Sequence, residues 1–128
     1  MKNELKIYKC PLCGNIVEMV ETKAGKLVCC GQEMVQLEAN TSDGAKEKHV
    51  PVVTVDGNKV TVEVGSVAHP MLDEHHIAWI ILETDNGFQR TYLDHTGSPQ
   101  AVFALPQDEK AVAAYEYCNL HGFWKVVL

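Results

Sequence analysis

The sequence predicts an all-β protein, in which a small metal-bound module is followed by a β-sandwich of immunoglobulin-like architecture. Three observations carry this expectation. Short β-branched runs recur through roughly the last eighty residues, separated by turn signals, as in a sandwich. Four cysteines crowd into the first thirty residues, in a stretch with few large apolar side chains. Between the two parts lies EANTSDGAKEK, residues 38–48, polar and without apolar periodicity, which reads as a linker.

Each strand has its own signal. KVTVEV alternates so that Val60, Val62 and Val64 share one face. Asp56-Gly57 stands between two β-branched runs and predicts a hairpin, and Asn86-Gly87 repeats the design inside HIAWIILETDNGFQRTYL. AVFAL and FWKVVL supply further short runs, with Pro99 and Pro106 as punctuation. DEKAVAAYEY suits a helix as well as a strand, because its alanines favour helix. The fragment before the linker is too small to bury a core alone, so it needs a metal, a staple or a partner. The expected boundaries are 1–37 for the metal module, 38–48 for the linker and 49–128 for the sandwich.

Composition narrows the function. Of the 128 residues, 46% are hydrophobic and 22% charged, the profile of a folded soluble protein. No apolar run has the length of a membrane span and MKNELKIYKC has no signal-peptide core, so a cytoplasmic location is expected. The net charge is −6, and residues 1–40 hold five lysines against five glutamates, so the acidity lies beyond them. Such a chain is unsuited to nucleic acid or anionic membranes, which require basic patches. Five cysteines without an export signal point to metal or redox chemistry rather than a disulfide framework.

Cys10-Pro-Leu-Cys13 is a C-x2-C pair followed by Gly14, a turn whose amides can point at sulfur. After fifteen intervening residues come Cys29 and Cys30, adjacent, with Gly31 behind them. Four thiolates so spaced can gather one ion, although a vicinal pair spreads its sulfurs less comfortably than a second C-x2-C. Structural zinc and mononuclear iron fit this spacing equally well.

The fifth cysteine, Cys118, stands in YCNLHG with His121 three residues on, so both can reach one ion from one turn. Other histidines, His49, His69, His75, His76 and His95, lie mostly at the edges of the expected strands, where sandwich loops converge. A second, separate metal site follows, with a thiolate from Cys118 and imidazoles for its other ligands. That donor set suits iron or copper as well as zinc, and the spacing leaves the number of histidines open.

These segments together resemble the desulfoferrodoxins, the two-iron superoxide reductases. YKCPLCGNIVE and LVCCGQEM look like the family's desulforedoxin-type module. EKHVPVV, VGSVAHPM, HHIAWI and YCNLHGFWK look like the segments of its catalytic domain, in the right order over nearly the whole length. The resemblance implies two iron ions, one held by Cys10, Cys13, Cys29 and Cys30. The other would have four histidine ligands, His49, His69, His75 and His121, with Cys118 as axial thiolate. Glu47 and Lys48 match the family's mobile loop over the open position, Lys48 attracting the anion and Glu47 binding once the iron is oxidised. His76 stands where the family commonly has an aromatic residue, and His95 matches no ligand and reads as a surface residue.

The implied activity is the one-electron reduction of superoxide to hydrogen peroxide, in oxygen detoxification. It needs an electron donor, for which a rubredoxin-type protein or a reductase is the expected partner. The short first module suggests a homodimer. Other classes compete on the residues alone: a zinc-containing binding module, an electron carrier without substrate, and a superoxide dismutase.

Overall fold

Alternation in KVTVEV becomes β7 (Lys59–Val64), with Val60, Val62 and Val64 buried on one face. The computed structural model describes residues 2–42 and 44–128. The chain divides into two units, the first ending at Glu38 and the second beginning at Ala39.

In the first unit, β1 (Ile7–Lys9) pairs antiparallel with β2 (Ile16–Glu18) and with β5 (Val35–Gln36). A second ribbon joins β3 (Val28–Cys29) to β4 (Gln32–Glu33). Ile7, Cys10 and Met34 are its buried apolar residues. So small a core leaves the fold dependent on whatever else ties the strands together.

The second unit is a sandwich of a three-stranded and a four-stranded sheet. One sheet places β7 between β6 (Pro51–Asp56) and β10 (Gln100–Ala104). The other runs in the order β12 (Gly122–Val127), β11 (Ala111–Cys118), β8 (Ile77–Thr84), β9 (Phe88–Tyr92). Val60, Val62 and Val64 meet Ile80 and Leu82 of β8, Phe103 of β10 and Ala114 of β11 in one core. A shift of register between Tyr117 and Cys118 bulges β8, so that Ile77 and Ile80 both join this core.

Three local expectations are adjusted. The first hairpin turns on Gly57-Asn58, because Asp56 still pairs with Lys59, and Gly57 takes the positive φ such a loop needs. The segment DEKAVAAYEY supplies strand β11, since pairing on both sides with β8 and β12 overrides its alanine propensity. The tail of the expected linker forms one helical turn, α1 (Lys46–His49). Among the described residues, no helix is long and apolar enough to cross a membrane.

Two candidate metal centres

The first centre is built on two tight turns. Gly14 N–H donates to the Cys10 carbonyl at 3.1 Å, and Cys13 N–H donates to the Cys10 sulfur at 3.4 Å. Cys30 adopts φ +53, a left-handed conformation that turns its side chain toward its neighbour's. The sulfurs of Cys13 and Cys29 then lie 3.6 Å apart and those of Cys29 and Cys30 3.9 Å apart. A tetrahedron of sulfurs about 2.3 Å from an ion has edges of about 3.8 Å, so these separations fit one. All four cysteines are free thiols.

Crowding separates their acidities. The backbone amide of Cys13 holds the Cys10 thiol down to about 6. Hydrogen bonds among the neighbouring sulfurs push Cys30 up to about 12 and raise Cys29 as well. Four sulfurs at these distances cannot all ionise until a cation joins them, and binding one would release protons.

The second centre sits at one end of the sandwich, where β6 begins opposite the end of β7 and Cys118 pairs with both Ile77 and Gly122. His49 closes α1, His69 and His75 lie in the connection from β7 to β8, and His121 lies in the turn from β11 to β12. Single donor atoms of His49, His69, His75 and Cys118 all lie within 4.8 Å of one another. The His121 ring centroid is 4.8 Å from that of His49 and 5.1 Å from that of His75. All five residues expected here are therefore gathered, four as one donor cluster and His121 beside it.

Hydrogen bonds fix which nitrogens face inward. Nδ1 of His49 lies 2.7 Å from the Ala45 carbonyl, and Nδ1 of His69 lies 2.7 Å from the Pro70 carbonyl. A carbonyl only accepts, so both Nδ1 atoms carry the proton and both Nε2 atoms present lone pairs. Those Nε2 atoms are 3.2 Å apart, and Nε2 of His69 is 3.4 Å from the Cys118 sulfur. Nε2 of His75 is buried with no hydrogen-bond partner among the described residues. Converging lone pairs and an orphaned nitrogen are stabilised together by a cation at their centre. The donor set fits a metal ion.

The electrostatics agree. Burial lowers the His49, His69 and His75 imidazoles, His69 to about 4, with mutual repulsion adding to it. Neutral imidazoles are the ligand form. Burial pushes the Cys118 thiol up, against the backbone amides of His121 and Leu120, which pull it down. The charge of Lys48 also lowers His49 and His75, so its field reaches the cluster although the residue is exposed.

Packing behind the cluster is close. Trp124 stacks on His49 with ring centroids 5.0 Å apart and donates its indole N–H to the His121 carbonyl at 2.9 Å. The turn bearing Glu47 and Lys48 is clasped by the end of β7: Val67 N–H donates to the Glu47 carbonyl at 2.9 Å, and Gly65 N–H to Val50 at 3.2 Å. Gly65 has φ +84, and a Cβ there would meet the carbonyl oxygens of Val67 and Glu47, the latter at 2.7 Å. Only glycine lets the two segments approach so closely.

His76 and His95 lie outside both centres. His76 precedes β8 and turns away from its neighbour, its Nδ1 2.9 Å from the Leu72 carbonyl. His95 is 45% exposed, flanked by Asp73 and Asp94. The sequence reading passed over Glu116, which is fully buried with neither carboxylate oxygen bonded among the described residues. Its alternation with Ala114 and Cys118 was the available signal. Asn119, Gly65 and Trp124 carried none, since their roles rest on contacts between distant segments.

Comparison with known proteins agrees with this geometry. Residues 41–127 match the desulfoferrodoxin family and residues 2–37 the desulfoferrodoxin N-terminal domain. A desulfoferrodoxin of Nitratidesulfovibrio vulgaris is 50% identical over 125 residues, 98% of each chain. The superoxide reductase of Treponema pallidum superposes with a TM-score of 0.82 at 42% identity, over 97% of this chain and 99% of that one. A one-iron superoxide reductase of Giardia intestinalis matches 65% of this chain and 98% of its own, with a TM-score of 0.53 at 36% identity.

Proposed function

The chain belongs to the desulfoferrodoxin family and is a superoxide reductase, and from that premise we propose how its own residues divide the work. The reaction consumes one superoxide, one electron and two protons, and yields one hydrogen peroxide. The chain has the two-iron layout of its family, one site of four cysteines and one of histidines and a cysteine. In this reading Cys10, Cys13, Cys29 and Cys30 hold the first iron, and His49, His69, His75, His121 and Cys118 hold the second. A ferrous ion held by these residues would supply the reducing electron. The observation that carries the ligand assignment is the convergence of unprotonated Nε2 atoms on the Cys118 sulfur, with the His75 nitrogen otherwise orphaned.

Lys48 is proposed to guide the anion. The protein is acidic overall, but charges farther than roughly 8 Å are largely screened at physiological salt, so one ammonium beside the cluster dominates locally. Lys48 is also proposed to order a water that delivers a proton to the product. Glu47, on the same turn, is proposed to offer a hard carboxylate to the oxidised ion. The buried, neutral imidazoles keep their lone pairs for the metal and leave proton delivery to the exposed turn.

The electron donor is proposed to be a rubredoxin-type protein or a reductase, and the compartment the cytoplasm. A homodimer is proposed because Val20, Val28 and Val35 of the first unit are exposed and a second copy would bury them. The domain limits 1–37, 38–48 and 49–128 remain the proposed division.

Pulse radiolysis of the reduced, iron-loaded protein tests the whole reading. Rapid oxidation of the iron with one peroxide per superoxide and no oxygen is expected. Oxygen formed alongside half as much peroxide would mean dismutation, and decay at the spontaneous rate would mean a carrier or binding module.

A further inference from the structure

The four imidazoles differ in how they are held. His49 and His69 are each locked by an Nδ1 hydrogen bond to a carbonyl, and His121 has its carbonyl tied to the Trp124 indole. Among the described residues none bonds Nε2 of His75, and no carbonyl fixes its ring as Ala45 and Pro70 fix those of His49 and His69. Its ring packs edge-on against those of His69 and His121, with centroids 4.7 Å and 5.1 Å away, and its placement otherwise comes from its backbone. That backbone closes a small loop of its own, in which Leu72 N–H donates to the His75 carbonyl at 2.9 Å and His75 N–H to the Leu72 carbonyl at 3.2 Å. The loop is rigid in itself but needs fixing to the rest of the site.

Asn119 makes that connection. Its Oδ1 accepts from His76 N–H at 2.8 Å, and its Nδ2 donates to the Glu74 carbonyl at 3.0 Å. Its own N–H donates to the His76 carbonyl at 3.2 Å. One residue thus grips the chain on both sides of His75. It does so from the position directly after Cys118, inside the turn that also carries His121. Asparagine suits the task because its amide presents one acceptor and one donor at a fixed spacing, matching the N–H and C=O that flank a single residue.

We propose that Asn119 is a positioning residue that sets the distance and angle of the His75 imidazole relative to the Cys118 thiolate, through the strap across residues 74–76. The proposal rests on the ligand set of the preceding section. Without the strap, the loop of His75 stays folded but moves as a body against the thiolate turn. The consequence falls on the catalytic iron alone, because the four-cysteine centre belongs to the other unit. Outer-sphere contacts that orient a ligand typically change metal affinity by about 10–100-fold, and a backbone strap on one ligand of five belongs at the lower end.

The test uses the full-length, two-iron protein and its variants Asn119→Ala, Asn119→Asp and His75→Ala. A chelator is added, and iron loss from each centre is followed at that centre's own absorption. The oxidised catalytic iron is also examined by electron paramagnetic resonance. Asn119→Ala is expected to lose the catalytic iron about tenfold faster and to broaden its resonance, with the four-cysteine iron unchanged. Asn119→Asp keeps the acceptor for His76 N–H, loses the donor to Glu74 and should fall between. Wild-type release with a wild-type resonance in Asn119→Ala overturns the proposal. So does faster loss from both centres together, which marks general destabilisation. The His75→Ala variant separates the two claims: an unaltered resonance there refutes the ligand assignment itself, whereas an altered one beside a silent Asn119→Ala refutes only the strap.

Discussion

Replacing Glu116 by glutamine should remove a pH dependence of stability that this one side chain creates. Glu116 lies on the inward face of β11 between Ala114 and Cys118, fully buried and without a partner among the described residues. Burial raises its carboxyl from 4.5 to about 9. The folded protein therefore holds this proton where the unfolded chain has lost it. A raised carboxyl favours the folded state fully below pH 4.5, and that advantage is lost as pH climbs toward 9. Each unit of pH in that window costs about 1.4 kcal/mol. Between pH 6.5 and 8.5 the native protein should lose about 2.7 kcal/mol relative to Glu116→Gln, a difference in which the cost of burying the new amide cancels. Urea unfolding of the metal-free protein, repeated across that range, measures it. Parallel stability curves for the two proteins would refute the reasoning, because they would mean the carboxyl is charged and solvated in the fold. A protonated-carboxyl band in the infrared spectrum at pH 7, absent from the variant, is the direct check.

Lys48→Ile should slow the reaction with superoxide severalfold at low salt, and the gap to wild type should shrink as salt rises; equal second-order rates at low salt would reject steering by this residue. Gly65→Ala places a Cβ 2.7 Å from the Glu47 carbonyl and holds alanine at φ +84. It should cost about 1–3 kcal/mol of stability and slow superoxide reduction while both irons stay bound, as pulse radiolysis would show. Zinc or iron entering the four-cysteine centre at pH 7.5, in protein whose other centre is filled, should release at least the two protons of Cys29 and Cys30. A pH indicator in weak buffer counts them, and fewer than two would contradict the acidities described.

Much of this was legible because it is local. The alternation of Val60, Val62 and Val64 survives directly as a buried face, and YCNLHG puts Cys118 and His121 on one turn without help from the rest of the chain. The sequence left the choice open where tertiary pairing outweighs local preference. Ala113 and Ala114 sit in a strand because β8 and β12 flank them on both sides. His76 lies just before β8, which begins only at Ile77, and its Nδ1 bond to the Leu72 carbonyl, a contact that residue type does not announce, turns it outward. Asn119 was illegible for a different reason. Its partners are backbone groups more than forty residues away, which leave no mark on residue type at their own positions.

The proposed ligands of the second centre divide by the stiffness of what carries them. Cys118 ends a strand hydrogen-bonded on both sides, so the thiolate has the firmest mounting. His49 closes the single turn α1 and His69 comes from an irregular segment, and each has its own carbonyl lock. His75 and His121 depend on ties made to the backbone beside them, through Asn119 and Trp124. The weakest mounting thus lies where the chain is least regular, on a loop whose Leu72, Asp73 and Glu74 are exposed. Loss of iron should begin there, by release of His75, before any ladder of the sandwich opens. Hydrogen exchange at the His76 amide should accordingly run faster than at Val62 or Leu82, and should slow when iron binds. An amide at His76 as protected without iron as with it would mean that the strap, rather than the ion, holds the loop.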